Sequence, residues 1–417
     1  MKKVLLAGMI GNGLEWYDYA LYAYMVTTIS KLFFPAGNEA AHLLATLGIF
    51  AVGFVARPFG GILFGMVGDR FGRRTALVAS IFLMAFPTGC IGLLPTYQQV
   101  GILAPLLLVL LRIFQGLSLG GAFSGTVIFL VEHSPPARRG LVGSTSLASL
   151  AAGFLLGSVV VIAMRMGLSP EQFESWGWRI PFLLGVPIGF IGLYIRNHTE
   201  ESPVYEEAKK NDALSKTPMR DALRDEWPAV LQTIGIYITV TMPFYLVSAY
   251  FITFSETMLG RSKTEALWLN ALVMVVLLLC VPLSAWLSDR IGRRKLMTVT
   301  AIGFLLFSYP IFSLLLRGDL AGVVLGHFLF SALVSANTGP VMALLVEAFP
   351  TRVRYSGMAL SYNISAAGFG GTAPMAAQWL INETGDAHSI AYYIMACAIL
   401  TLVALFFYRD RYKEPLR

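Results

Sequence analysis

The stretch Asp69-Arg70-Phe71-Gly72-Arg73-Arg74 returns 220 residues later as Asp289-Arg290-Ile291-Gly292-Arg293-Arg294. Each copy interrupts an otherwise apolar chain. Charges this dense are too costly to leave in an apolar medium, so both hexads read as turns between buried segments. A looser echo accompanies them. Glu132-His133-Ser134-Pro135 recurs as Glu347-Ala348-Phe349-Pro350, Arg139 matches Arg354, and Arg112 stands opposite His327, all at an offset of 215. One half of the chain therefore repeats the other.

Of 417 residues, 56% are hydrophobic and only 13% are charged. A soluble domain carries about 25% charged residues. The deficit places the chain in a membrane, where every backbone amide must bond internally. The apolar runs are continuous and do not alternate with period two, which selects helices over a barrel. Two similar halves of membrane-length segments are the mark of a secondary transporter. The net charge of +7 lies between the apolar runs, as orientation in a membrane requires, and does not point to nucleic acid. Cys90, Cys280 and Cys397 sit in apolar runs without metal-like spacing. The apolar stretch after Met1-Lys2-Lys3 soon contains Glu15 and Asp18, so it reads as a first span and not as a removed signal.

The pattern predicts an all-α membrane protein: twelve transmembrane helices in two pseudo-symmetric six-helix bundles. The spans fall near 5–34, 43–67, 75–95, 103–131, 141–166, 179–195, 229–256, 265–287, 296–316, 320–348, 356–381 and 390–408. The corresponding division is a bundle over 1–196, a cytoplasmic linker over 197–228 and a bundle over 229–417 with a short tail. The linker's mixed charges allow a short surface helix near 201–210. With the N-terminus inside, 23 of the 31 Lys and Arg residues fall on inner segments and six on outer ones (Lys31, Arg165, Arg179, Arg261, Lys263 and Arg317). That asymmetry predicts cytoplasmic termini.

Arg57 and Arg112 are the cations left inside spans. Charged groups there face a wet cavity or a partner. Glu15 and Asp18 lie three apart, on one helix face. A carboxyl that meets water in one state and a cation in another can load and unload a proton. Asp18, the deeper, is the first candidate for that role and Glu15 the second. Arg112 can hold a substrate carboxylate bidentately or pair with Asp18 or Glu15 when empty. Arg57, beside Pro58, is a ligand or gate candidate. His327, Asn337, Asn363 and Gln378 are polar residues that contact ligand or bond helices together. Tyr17, Tyr22 and Tyr24 of span one, with Tyr237, Phe244, Tyr245 and Tyr250 of span seven, can stack on an ammonium group or simply pack. Pro243 gives span seven a place to bend. Small residues spaced by four on spans four and five, as in Gly116-Leu117-Ser118-Leu119-Gly120, allow close helix approach.

Gly65 through Arg74 resembles the signature loop of the major facilitator superfamily, and the copy at Asp289 sits where that pattern places a second. The resemblance implies that superfamily's fold. Four further stretches resemble the metabolite:proton symporters, a family of carriers for proline and glycine betaine, citrate, 2-oxoglutarate and shikimate. They are Gly11 through Tyr19, Ala56 through Gly61, Arg112-Ile113-Phe114-Gln115-Gly116 with Gly120-Gly121, and Trp176 through Leu184 with Arg196 and Glu201-Ser202-Pro203. Gln115 joins the substrate candidates through this fourth-span motif. The family usually places Glu after the Gly-Gly pair, whereas this chain has Ala122. In the signature loop, Asp69 can dock on the positive N-terminal end of a helix in the other half. Arg70 and Arg73 can reach Glu132, and Arg290 and Arg293 can reach Glu347. With Asp289 these make latches at the inner end, closed when the protein opens outward.

The resemblance, with which Arg112 agrees, therefore implies proton-coupled uptake of a small carboxylate-bearing or zwitterionic solute by alternating access. The alternatives are a proton-coupled exporter of drugs or siderophore-like metabolites, a receptor that binds without transport, and a facilitator without coupling. There is no phosphate-binding loop, zincin motif or nucleophile elbow, so neither an enzyme nor a cofactor is expected. The partners expected are the solute, protons and the lipid bilayer. The family resemblance implies a bacterial-type inner membrane. Oligomeric state has no signature here.

Overall fold

A computed structural model describes residues 2–35, 37–71, 73–132, 134–197, 223–351 and 353–416. Among these, the long helices group into twelve spans. Span one is Lys2–Tyr24 with Val26–Phe33, span two is Glu39–Val55 with Arg57–Phe71, span three is Arg73–Leu93, span four is Leu103–Glu132, span five is Arg139–Gly167 and span six is Arg179–Asn197. Span seven runs through Trp227–Tyr245, Leu246–Tyr250 and Phe251–Thr257; span eight is Lys263–Ile291, span nine Arg293–Leu315, span ten Leu320–Thr338 with Val341–Ala348. Span eleven runs through Arg354–Ser365, Ala366–Gly370 and Ala373–Thr384, and span twelve is Ser389–Phe407. Eight of the twelve are apolar enough along their length to cross a membrane on composition alone. In span eleven, Ser356, Ser361, Asn363 and Ser365 are buried inside the protein.

The helix starts follow local chemistry. Asn38 accepts from the Ala41 N–H at 3.1 Å, Ser262 and Glu265 form a reciprocal capping box, and Asp319 accepts from the Gly322 N–H at 3.1 Å. The breaks follow proline. Pro58 opens the second segment of span two and leaves Arg57 at the joint. Pro243 has no N–H to give to the Thr239 carbonyl, and the span widens into a π-helical turn over Leu246–Tyr250. The orphaned carbonyl does not go unmet: Asn337 of span ten donates to it at 2.8 Å.

Spans one to six pack mainly on one another, as do spans seven to twelve. Between the two sets, span five lies along span eight, spans two and four meet span eleven, and spans four and five meet span ten. Large apolar side chains such as Phe82, Phe86, Phe190, Leu306, Phe307 and Phe406 point outward, as a lipid-facing surface requires. Glycine sets the tightest contacts. A Cβ on Gly120 would fall 1.9 Å from the Arg57 carbonyl oxygen, and one on Gly153 would fall 2.1 Å from that of Gly13. The four-residue spacing of small residues thus lets span four touch span two, and span five touch span one, backbone to backbone.

Candidate substrate and proton site

Two guanidinium groups lie buried among aromatic rings at the centre. Arg57 is held at the span-two joint, and its Nη2 donates to the Tyr362 hydroxyl of span eleven at 2.9 Å. Its guanidinium carbon lies 5.4, 5.2 and 5.1 Å from the ring centres of Trp16, Phe54 and Tyr362. Arg112 of span four donates from Nη1 to the Gln115 side-chain oxygen at 2.8 Å. It lies 4.3 and 4.4 Å from the ring centres of Tyr19 and Tyr22. Neither makes an ion pair among the described residues. Nε and Nη1 of Arg57, and Nε and Nη2 of Arg112, have no hydrogen-bond partner. A buried cation with two idle donors is a costly arrangement unless something anionic completes it.

The rings are positioned in turn. Asn12 donates to the Ser146 carbonyl and the Ser149 hydroxyl of span five and accepts from the Trp16 indole, which fixes that ring. Tyr22 donates to the Thr46 carbonyl at 2.9 Å, and Tyr17 to the Pro181 carbonyl of span six at 3.0 Å. Tyr245 stands edge-on to Phe54, centres 4.7 Å apart. Between the two sets of spans a small cavity of about 10 Å³, room for about one water, is lined by Tyr237, Thr241, Phe244, Tyr245, Thr338 and Tyr362, among others. Arg57 reaches its wall through Tyr362.

Asp18 is buried, with Oδ1 lacking a hydrogen-bond partner. It does not pair directly with Arg112. Its carboxyl lies against Gly185 of span six, where the Thr88 side chain of span three also packs. Glu15, one turn away, is half-buried.

The remaining candidates lie elsewhere. His327 bonds the Val323 carbonyl of its own span at 2.8 Å and packs edge-on to Phe251. Asn337 accepts from Thr300 at 2.7 Å while donating to the Thr239 carbonyl, tying spans seven, nine and ten. Gln378 accepts from Tyr250 at 2.9 Å. Asn363 donates to the Gly120 carbonyl across the two sets at 3.2 Å, leaving its own oxygen unpartnered.

At the hexad end the two sets are joined by charge. Asp289 accepts from the N–H groups of Gly140 and Leu141 at 2.8 and 2.9 Å, in the first turn of span five, the geometry expected of a carboxylate on a helix N-terminus. Arg293 bonds Asp289 at 2.7 Å and Glu347 at 3.2 Å. Arg290 instead covers the Trp286 ring, 3.8 Å from its centre. Glu132 pairs with Arg354 of span eleven at 2.5 Å, and Glu347 lies 3.9 Å from Arg139 of span five. The Glu-to-Arg echo in the sequence is thus an exchanged pair of bridges, each Glu facing the Arg of the other set. The side chains of Asp69, Arg70 and Arg73, with those of Ala122 and of the 201–210 stretch, lie outside the described residues. The tail joins in: Arg139 donates to the Glu414 carbonyl and the Arg294 N–H donates to Asp410. At the opposite end, Lys263 of span eight donates to the Thr27 and Thr28 hydroxyls of span one.

Sequence reasoning missed Tyr362, Thr88, Trp16, Tyr19 and Arg354 as site or latch residues. Arg354 carried a signal, its match to Arg139, and Trp16 and Tyr19 lay in the first-span stretch that carries the family resemblance.

The comparisons agree with this geometry. The model of the sugar (and other) transporter family matches residues 4–416. The chain is 33% identical to a glycine betaine/proline/ectoine/pipecolic acid transporter of Dickeya dadantii and 33% identical to a proline/betaine transporter of Salmonella typhimurium. Each alignment covers all of this chain and 85% of the relative. Among solved structures, a D-xylose–proton symporter matches with a TM-score of 0.73 at 21% identity, over 100% of this chain and 98% of that one. The xylose transporter of E. coli in a partially occluded inward-open form matches with a TM-score of 0.74 at 20% identity, each chain 99% covered. These twelve helices form a multi-pass transporter of the major facilitator fold. The chain belongs to the sugar (and other) transporter family within that superfamily, and it is not an enzyme.

Proposed function

We propose that the chain imports a small zwitterion carrying a carboxylate, such as proline or a betaine, together with protons, by alternating access. The observation that carries the reading is the pair of buried guanidinium groups, each with idle donors, set in aromatic walls. A substrate carboxylate supplies the anion that Arg57 and Arg112 lack. The faces of Tyr237, Phe244, Tyr245 and Tyr362 suit an ammonium group that cannot donate hydrogen bonds. The names of the Dickeya and Salmonella relatives support the same solute class. Asp18, buried without a cation beside it, is the proposed proton carrier, with Glu15 behind it. Arg112 and Gln115 complete the ligand side, Tyr17 and Tyr22 shape the span-one wall, and His327, Asn337 and Asn363 serve helix packing first.

The bundles span 1–196 and 229–417, joined by the 197–228 linker, and rock about the central cavity. Both termini are cytoplasmic in a bacterial inner membrane, which the Lys and Arg distribution supports. Asp289 and Arg293, with Glu347, latch the cytoplasmic end, Glu132 joins through Arg354, Arg290 takes no part in the bridge, and Asp69 with Arg70 and Arg73 is assigned the matching role in the first hexad. The exporter has no observation in its favour. Adding glycine betaine or proline to energised cells tests direction: symport alkalinises the medium as substrate enters, whereas acidification or an unchanged pH contradicts it.

A further inference from the structure

A continuous line of hydrogen bonds leads from Arg112 toward Asp18. Arg112 Nη1 donates to Gln115 Oε1 at 2.8 Å. Gln115 Nε2 donates to Thr88 Oγ1 at 2.7 Å. Thr88 and Asp18 meet at Gly185, where a Cβ would lie 2.8 Å from Thr88 Cγ2 and 2.6 Å from Asp18 Oδ1, and Thr88 gives its own hydrogen to the Met84 carbonyl at 2.9 Å. Arg112, Gln115, Thr88 and Asp18 are all buried, and the line crosses spans four, three and one. The amide of Gln115 cannot be reversed without pointing its NH2 at a guanidinium, so the direction of donation is fixed by chemistry.

We propose that Gln115 and Thr88 are positioning residues that join the carboxylate-binding guanidinium of Arg112 to the proton on Asp18, so that loading either site favours loading the other. The inference rests on the transport reading above. The hydroxyl of Thr88 has one hydrogen. With Asp18 neutral, that hydrogen goes to Met84 and Asp18 donates its own proton to Thr88 Oγ1. With Asp18 ionised, the Thr88 hydrogen turns to the carboxylate. An unoccupied Arg112 polarises the Gln115 amide, strengthens its bond to Thr88 and so supports the ionised form. A substrate carboxylate on Arg112 removes that polarisation, and Asp18 takes up a proton from water on the outward side. When the site opens inward and substrate leaves, the O–H bond of Asp18 breaks, its electron pair stays on the carboxylate and the proton passes to cytoplasmic water.

Other groups able to influence Asp18 are few. Glu15 and Tyr17 of its own span interact with it. Among the described residues, span three offers Thr88, span six the backbone at Gly185, and span four Gln115 and Arg112 through the line itself.

The test is the pH dependence of substrate KM in proteoliposomes, with glycine betaine and proline as probes. Coupling of this kind is typically about fivefold or more between the protonated and ionised states. Thr88→Val, nearly isosteric, should keep substrate exchange while its KM varies less than about twofold over the same range. Thr88→Ser should restore the wild-type profile, which a merely structural role for the methyl group would not. If Thr88→Val fails to fold by thermal melt, Thr88→Ala removes the same hydroxyl without adding bulk and should flatten the profile equally. A folded Thr88→Val or Thr88→Ala with the wild-type profile overturns the line. Wild-type protein that transports neither probe overturns the functional reading and the line together.

Discussion

At the scale of single residues, the chain tolerates charge in its interior only where something can answer it. Asp18, Arg57 and Arg112 are each buried, and none is satisfied by an ion pair within the described residues. Asp18→Asn removes the titrating group and keeps its size. Counterflow of labelled substrate should persist in this variant, while accumulation driven by a proton gradient disappears. Wild-type accumulation by Asp18→Asn would remove the residue from the proton path. These three residues were legible in the sequence because a charge inside an apolar run needs a reason. Tyr362 and Thr88 were not. A tyrosine or threonine in a span is cheap, and Tyr362 meets Arg57 from 305 positions away, beyond any spacing rule.

At the scale of elements, proline and asparagine work as a pair. Pro243 frees the Thr239 carbonyl, and Asn337 from span ten answers it while accepting from Thr300 of span nine. Asn337→Leu strands the Thr239 carbonyl, while the Thr300 hydroxyl keeps its bond to the Met297 carbonyl. The expected cost is about 1–3 kcal/mol for a buried group left unpaired. It should appear as a lower melting temperature in detergent, with the substrate KM little changed. A large KM effect at unchanged stability would instead make Asn337 a ligand contact. The sequence revealed the proline as a bend and the asparagine as a generic polar residue. It did not reveal that one completes the other, because that pairing exists only once spans seven and ten lie side by side.

At the scale of the whole molecule, the repeat is what the chain advertises most clearly and what the structure uses most. The twelve spans and the transporter class followed from it and from the apolar composition. The exchange of Glu132 and Glu347 between the two sets did not, since a repeat shows which residues are equivalent and not which half each one faces. Glu132→Lys should break its bridge to Arg354 and favour the inward-open form, read as faster labelling of a cysteine placed in the cytoplasmic half of the cavity. Adding Arg354→Glu rebuilds the bridge with reversed charges and should return labelling toward wild type. Equal labelling in all three proteins would show that the bridge does not latch the cytoplasmic end.

The most direct test is uptake of radiolabelled glycine betaine or proline into proteoliposomes under an inward proton gradient. The account predicts transient accumulation above the external concentration, abolished by an uncoupler. Uptake that only equilibrates, or accumulation indifferent to the uncoupler, would contradict it.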